Sequence, residues 1–165
     1  MYKKALRISL AIMTWLLLVN HANADVVPLA LYVRCNVGKD IRTQFLSERE
    51  ILSMPRHTIE TSTPWSTKSQ FSGVRLADVV KKTCPKGTLV TITAYDEYEI
   101  NDIAMPDIIR DQPLLAYSMN GQRLLLKNFG PLFLVYDREG DNSSRIKTSQ
   151  YSAKEIRQIK LISVH

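Results

Sequence analysis

Short stretches with a two-residue hydrophobic period, separated by turn-forming residues, limit the folds open to this sequence. The clearest is Thr88 to Tyr95, where apolar side chains alternate with threonines, as on a strand with one buried face. The pair Asn120-Gly121 separates two further runs, and both residues accept the positive φ angles of a two-residue hairpin. The pattern therefore predicts a sheet joined in part by tight turns.

Helix signals are fewer than strand signals. Leu76, Val79 and Val80 share one face of a predicted short helix, and capping-box patterns begin at Ser47 and Ser152. The remaining predicted strands or extended segments are Leu29 to Val33, His57 to Thr61, Leu114 to Met119, Arg123 to Lys127, Leu132 to Tyr136 and Ile159 to Val164. No regular βαβ alternation is present, so we predict an α+β fold with a mixed or antiparallel sheet and short helices.

The first 24 residues are typical of a secretory signal peptide. Lys3, Lys4 and Arg7 precede a 12-residue apolar run from Ile8 to Val19, and the segment ends in Ala22-Asn23-Ala24. The apolar run is shorter than the roughly 20 residues that a membrane-spanning helix needs. We expect cleavage after Ala24 and export to the periplasm or beyond. Residues 25 to 165 should then form a single domain with no membrane span.

The net charge of +6 takes a different meaning once this leader is set aside. It counts 22 basic against 16 acidic residues, and three of the basic ones belong to the leader, which leaves +3. With one tryptophan after Ala24, this charge does not predict a nucleic-acid-binding surface. The segment from Arg138 to His165 contains six basic residues. They form either a solvated basic face or a patch that binds an anion or an acidic partner.

Histidine and cysteine counts limit the chemistry. His57 is the only interior histidine after Ala24, so a zinc site built on several histidines is not predicted. No catalytic residue and no metal ligand is assigned from these counts. Cys35 and Cys84 are the only cysteines, and in an oxidising compartment two such residues either pair or remain as thiols.

Six segments of the sequence form an ordered set: HTIETSTPW (57 to 65), FSGVRLADVV (71 to 80), VTITAYDEY (90 to 98), LLAYSMNGQRL (114 to 124), GPLFLVY (130 to 136) and IRQIKLISV (156 to 164). Together, and in this order, they resemble the oxidoreductase molybdopterin-binding domain, the fold of the sulfite oxidase family, and its small exported relatives. The Asn-Gly hairpin followed by GPLFLVY is the most specific part of the resemblance.

The resemblance implies a molybdenum-ligating cysteine about ten residues before the Gly73-Val74 motif. Counting back leads to Thr61 or Ser62, and a hydroxyl does not replace the soft thiolate that this metal chemistry uses. The leader also lacks the paired arginines of the twin-arginine export route, by which the family's enzymes leave the cytoplasm with cofactor bound.

We therefore expect a binding module for a small ligand or an envelope protein partner, without molybdenum catalysis and with no cofactor. The resemblance places His57, Thr61, Ser62 and Trp65 at the cleft that holds the cofactor in the family. The alternative is a small molybdopterin-dependent oxidoreductase that binds the pterin without a protein thiolate.

Overall fold

The computed structural model describes residues 27–139 and 151–165, and the predicted signal peptide lies outside them. Within these two ranges, ten strands form two five-stranded sheets, and the helices are short. The strands are β1 (Leu31–Val37), β2 (Asp40–Leu46), β3 (His57–Thr63), β4 (Ser66–Arg75), β5 (Leu89–Ala94), β6 (Glu99–Ala104), β7 (Leu114–Met119), β8 (Gln122–Arg123), β9 (Phe133–Val135) and β10 (Ile159–Val164). The helices are α1 (Glu48–Leu52), α2 (Leu76–Thr83) and α3 (Met105–Asp111), with a 3-10 turn at Leu126–Asn128.

The first sheet has the order β2-β1-β10-β5-β6. Its central pair, β1 and β10, is parallel, whereas its other pairs are antiparallel. The second sheet is antiparallel, with β3-β4-β7-β8 in order and β9 also paired to β7. The predicted α+β class with a mixed or antiparallel sheet is confirmed.

The larger apolar cluster contains buried residues of both sheets, with Val74 and Leu115 from the second. On β5 the alternation places Val90, Ile92 and Ala94 in this cluster, as predicted, together with the buried face of α2. A smaller cluster lies on the second sheet, where Phe71 and Phe133 meet edge to face with ring centroids 5.8 Å apart. Among the described residues, no helix is long and apolar enough to cross a membrane.

Local turn and cap signals were good predictors. Asn120 and Gly121 have φ angles of 51° and 76° and join β7 to β8, as a two-residue hairpin requires. The capping box at Ser47 is present, since the Glu50 carboxylate accepts a hydrogen bond from the Ser47 backbone N–H at 2.8 Å.

Two local predictions were wrong. Ser152 does not begin a helix: the chain is helical at residues 151 and 152 and then turns. The strand predicted over Arg123 to Lys127 ends at Arg123, because a tight turn follows in which the Asn128 side chain accepts a hydrogen bond from the Leu125 backbone N–H.

The two cysteines form a disulfide. Cys35 on β1 and Cys84 directly after α2 have Cα atoms 5.5 Å apart and are both buried. The bond joins a central strand of the first sheet to the end of the helix that packs on it. Of the two alternatives that the sequence left open, the paired state is the one found.

Candidate functional site

The site begins with Thr61, near the end of β3. Strand alternation turns Ile59, Thr61 and Thr63 to the buried side, and Thr61 is completely buried. Its hydroxyl accepts a hydrogen bond of 3.0 Å from the backbone N–H of Arg138. Thr61, one of the two residues reached by counting back from Gly73-Val74, is therefore engaged in joining β3 to the segment after β9.

Ser62 points to the other side of β3 and is half-buried. Its backbone N–H donates to the Glu139 carboxylate at 3.2 Å, and that carboxylate also pairs with Lys68 at 3.2 Å. These two contacts hold the pKa of Glu139 below its ordinary value, with the Lys68 contact the larger cause. Thr61 and Ser62 are thus both tied to the chain that follows β9.

A buried ion pair involves the same arginine that binds Thr61. The Arg138 guanidinium binds the Glu155 carboxylate, and their side chains are 8% and 0% exposed. The Tyr136 backbone N–H also donates to this carboxylate at 3.3 Å. Burial raises the pKa of Glu155 to about 7, against the opposing effect of Arg138. Arg138 is therefore not part of a solvated basic face.

The tryptophan candidate stands at the mouth of a cleft beside this ion pair. Trp65 lies in the turn between β3 and β4, its indole meets Phe133 edge to face at 5.8 Å, and the residue remains 40% exposed. The cleft has a volume of about 250 Å³ and is named here the Trp65 cleft. It is lined by Trp65, Ala94, Asp96, Tyr98, Glu155, Ile156 and Arg157.

His57 is separate from the other candidates. It opens β3, and its Nε2 atom lies 3.9 Å from the Asp78 carboxylate on α2. Thr61 lies four residues further along the strand than His57, a distance of about 13 Å at the usual rise of a β-strand. The structure thus brings Thr61, Ser62 and Trp65 to the region of the Arg138–Glu155 pair, with His57 at the far end of the strand.

Sequence reasoning missed the acidic and basic partners of this region. Glu155 is 17 residues from Arg138, and no local motif marks such a pair. The cleft residues Asp96 and Tyr98 belong to the turn between β5 and β6. A polar turn that carries aromatic residues could have indicated a binding site at this position. Arg157 was counted only as one of several basic residues.

A family comparison decides the relationship. Residues 36–162 match the oxidoreductase molybdopterin binding domain. The chain belongs to this family. The crystal structure of the sulfane dehydrogenase SoxCD from Paracoccus pantotrophus is similar in fold, with a TM-score of 0.57 and 14% sequence identity. The match covers 82% of this chain and 38% of that chain, so the present chain corresponds to well under half of its relative's length. A comparison with curated proteins finds no match.

The donor groups of this chain do not fit molybdenum ligation by a cysteine. Cys35 on β1 and Cys84 after α2 are joined to each other, and the hydroxyl of Thr61 is buried in a hydrogen bond to the backbone. A thiolate ligand would require the disulfide to open. Family membership makes pterin binding a property to test, but no reaction step through the metal follows from these residues.

Proposed function

We propose that this chain is an exported binding module with the molybdopterin-oxidoreductase fold, which does not carry out molybdenum catalysis. One observation carries the proposal: Thr61, which with Ser62 marks the expected ligand position, is fully buried and accepts a hydrogen bond from the Arg138 backbone N–H. A metal ligand has to present its donor atom to the cofactor cleft, whereas this hydroxyl is used to hold two segments of the fold together. The binding function then falls to the open cleft next to it.

The ligand site of this module is the Trp65 cleft. It combines an exposed aromatic surface with an exposed carboxylate at Asp96, and its wall is backed by the buried Arg138–Glu155 pair. An apolar wall with a few polar groups is the usual composition of a small-ligand site. The same cleft would serve a protein partner if an envelope protein inserted one of its side chains there.

Export rests on the leader and is supported by the disulfide. A basic start, a short apolar run and a small-x-small end within residues 1 to 24 favour cleavage after Ala24 and release into the periplasm. The Cys35–Cys84 bond suits an oxidising compartment of this kind. Sequencing the exported protein from its amino end is expected to begin at Asp25, and recovery of Met1 would contradict this part of the proposal.

The main test is the cofactor content of protein purified from the cell envelope of its native host. Elemental analysis should find molybdenum far below one atom per chain, and denatured protein should release no pterin fluorescence. A Thr61→Cys variant prepared in the same way should also lack molybdenum, because the new thiol would be buried where Thr61 is. Stoichiometric molybdenum in the unaltered protein would refute the proposal.

The family itself favours one alternative, a small molybdopterin-dependent oxidoreductase that holds the pterin without a protein thiolate. The same preparation separates the two functions, since such an enzyme would contain pterin and molybdenum in equal amounts. A protein partner without any small ligand would instead be recovered by affinity purification of the tagged chain. That complex should then weaken on replacement of Trp65.

A further inference from the structure

The Trp65 cleft already holds a cation, and that cation belongs to the chain itself. The Arg157 guanidinium carbon lies 5.1 Å from the centroid of the Trp65 ring, a cation–π distance. Arg157 is exposed, and within the described ranges 27–139 and 151–165 it makes no ion pair with a carboxylate. The indole is therefore the main partner that the structure gives to this guanidinium.

The other groups of the cleft are those that attract a cation. Tyr98 is 57% exposed and presents a second aromatic ring. Asp96 accepts a hydrogen bond from the Tyr98 backbone N–H at 3.1 Å, which places its carboxylate in the same turn. Glu155 also lines the cleft, but its side chain is fully buried and its carboxylate is bound by Arg138. The exposed groups beside Arg157 are therefore two aromatic rings and the Asp96 carboxylate, with Ala94 and Ile156 as the apolar part of the lining.

We propose that the Trp65 cleft binds a small organic cation, of the guanidinium or quaternary ammonium type, at the place that the Arg157 guanidinium occupies over Trp65. This inference rests on the proposed function and names the ligand class of that site. Aromatic faces with nearby carboxylates recognise such cations in general. The volume of about 250 Å³ lies below the roughly 300–1,000 Å³ of sites for drug-sized molecules, so the ligand is small.

Arg157 then acts as an internal competitor of the ligand. A cation–π contact at an exposed site is weak, so a ligand cation can displace it at modest cost. If the ligand were an anion, Arg157 would be its anchor, and the Asp96 carboxylate would repel it. The two ligand classes therefore predict opposite effects of removing the Arg157 side chain.

The test is calorimetric titration of the exported protein with choline and with methylguanidinium, and with acetate as the anion probe. We expect both cations to bind and acetate not to bind. Arg157→Ala should bind the cations about two- to fivefold more tightly, the factor that corresponds to one exposed cation–π contact. Arg49→Ala is the matched control, because it removes the same charge from an exposed position on α1 and should leave the affinity unchanged.

Trp65→Leu provides the second arm, with circular dichroism and thermal melting to verify its fold. Loss of cation binding in a folded Trp65→Leu protein supports the proposal. Three results would overturn it: no heat with either cation in both the unaltered protein and Arg157→Ala, weaker binding in Arg157→Ala, or unchanged binding in Trp65→Leu. Molybdenum analysis of the same preparation keeps the two proposals separate, since stoichiometric metal refutes the proposed function whichever way the titrations turn out.

Discussion

The backbone N–H of Arg138 donates a hydrogen bond of 3.0 Å to the hydroxyl of Thr61. This contact ties β3 to the segment after β9, and the side chain of the same arginine holds Glu155. Thr61, one of the two residues at which the resemblance implies a metal ligand, thus belongs to a structural connection. The buried ion pair and the Trp65 cleft both lie around it.

Replacing Thr61 with valine should destabilise the fold while keeping its shape. The variant leaves the Arg138 N–H without its acceptor, and an unsatisfied buried donor costs about 1–3 kcal/mol of the free energy of unfolding. Urea denaturation measures the change. Thr67→Val, at an exposed position on β4, is the control and should stay within about 0.5 kcal/mol of the unaltered protein. Equal stability of the two variants would argue against the contact.

Glu155 gives the stability a characteristic pH dependence. Burial raises the pKa of its carboxyl to about 7 in the folded protein, from 4.5 for the free side chain. The folded state therefore holds this proton more tightly than the unfolded state, and the carboxyl stabilises the fold below about pH 4.5. That contribution declines as the pH rises from 4.5 to 7 and is lost above the folded pKa.

The check is the difference between the unaltered protein and Glu155→Gln, because other carboxyls titrate in the same range. The glutamine carbonyl still accepts from the Tyr136 N–H but does not ionise. The difference in free energy of unfolding should change by a few kcal/mol between pH 4.5 and 7.5, to the disadvantage of the unaltered protein at the higher pH. A difference that does not vary with pH would contradict the raised pKa.

Reducing the disulfide should destabilise the protein substantially. Cys35 and Cys84 are 49 residues apart, and closing a loop of that length contributes about 4 kcal/mol in the chain-entropy model. We expect a lower melting temperature in the presence of a phosphine reductant and a mass gain of two protons. A Cys35→Ser, Cys84→Ser double variant is the control, since its melting temperature should not respond to the reductant.

Local signals in the sequence were sufficient for much of the fold but not for the site. The Asn120-Gly121 hairpin and the strands β5 and β10 follow from φ preferences and alternation within a few residues. β4 escaped prediction because its first half is polar and mostly exposed, whereas its last residues are buried between β3 and β7. This segment is a strand because it pairs with β3 and β7, and β7 is distant in sequence.

The same reason explains the outcome for the candidate site. The resemblance led to Thr61 and Trp65, but their partners Arg138 and Arg157 come from other parts of the chain. Nothing near Glu155 indicates that it is buried, because its environment is assembled by tertiary packing. Charge counts along a segment do not separate an exposed lysine from an arginine in a buried pair.

Gly73 marks a close approach between two strands of the second sheet. It lies on β4 opposite Ala116 of β7, and a Cβ atom there would stand 2.0 Å from the backbone oxygen of Leu115. Gly73→Ala must therefore separate β4 from β7, and we expect a loss of about 3 kcal/mol or more in the free energy of unfolding. Gly38→Ala is the comparison, because its Cβ meets nothing within 4 Å and only the φ of 58° is unfavourable. That strain should cost about 1–2 kcal/mol. Chemical denaturation of both variants provides the measurement, and a Gly73→Ala protein as stable as Gly38→Ala would contradict the close approach of the two strands.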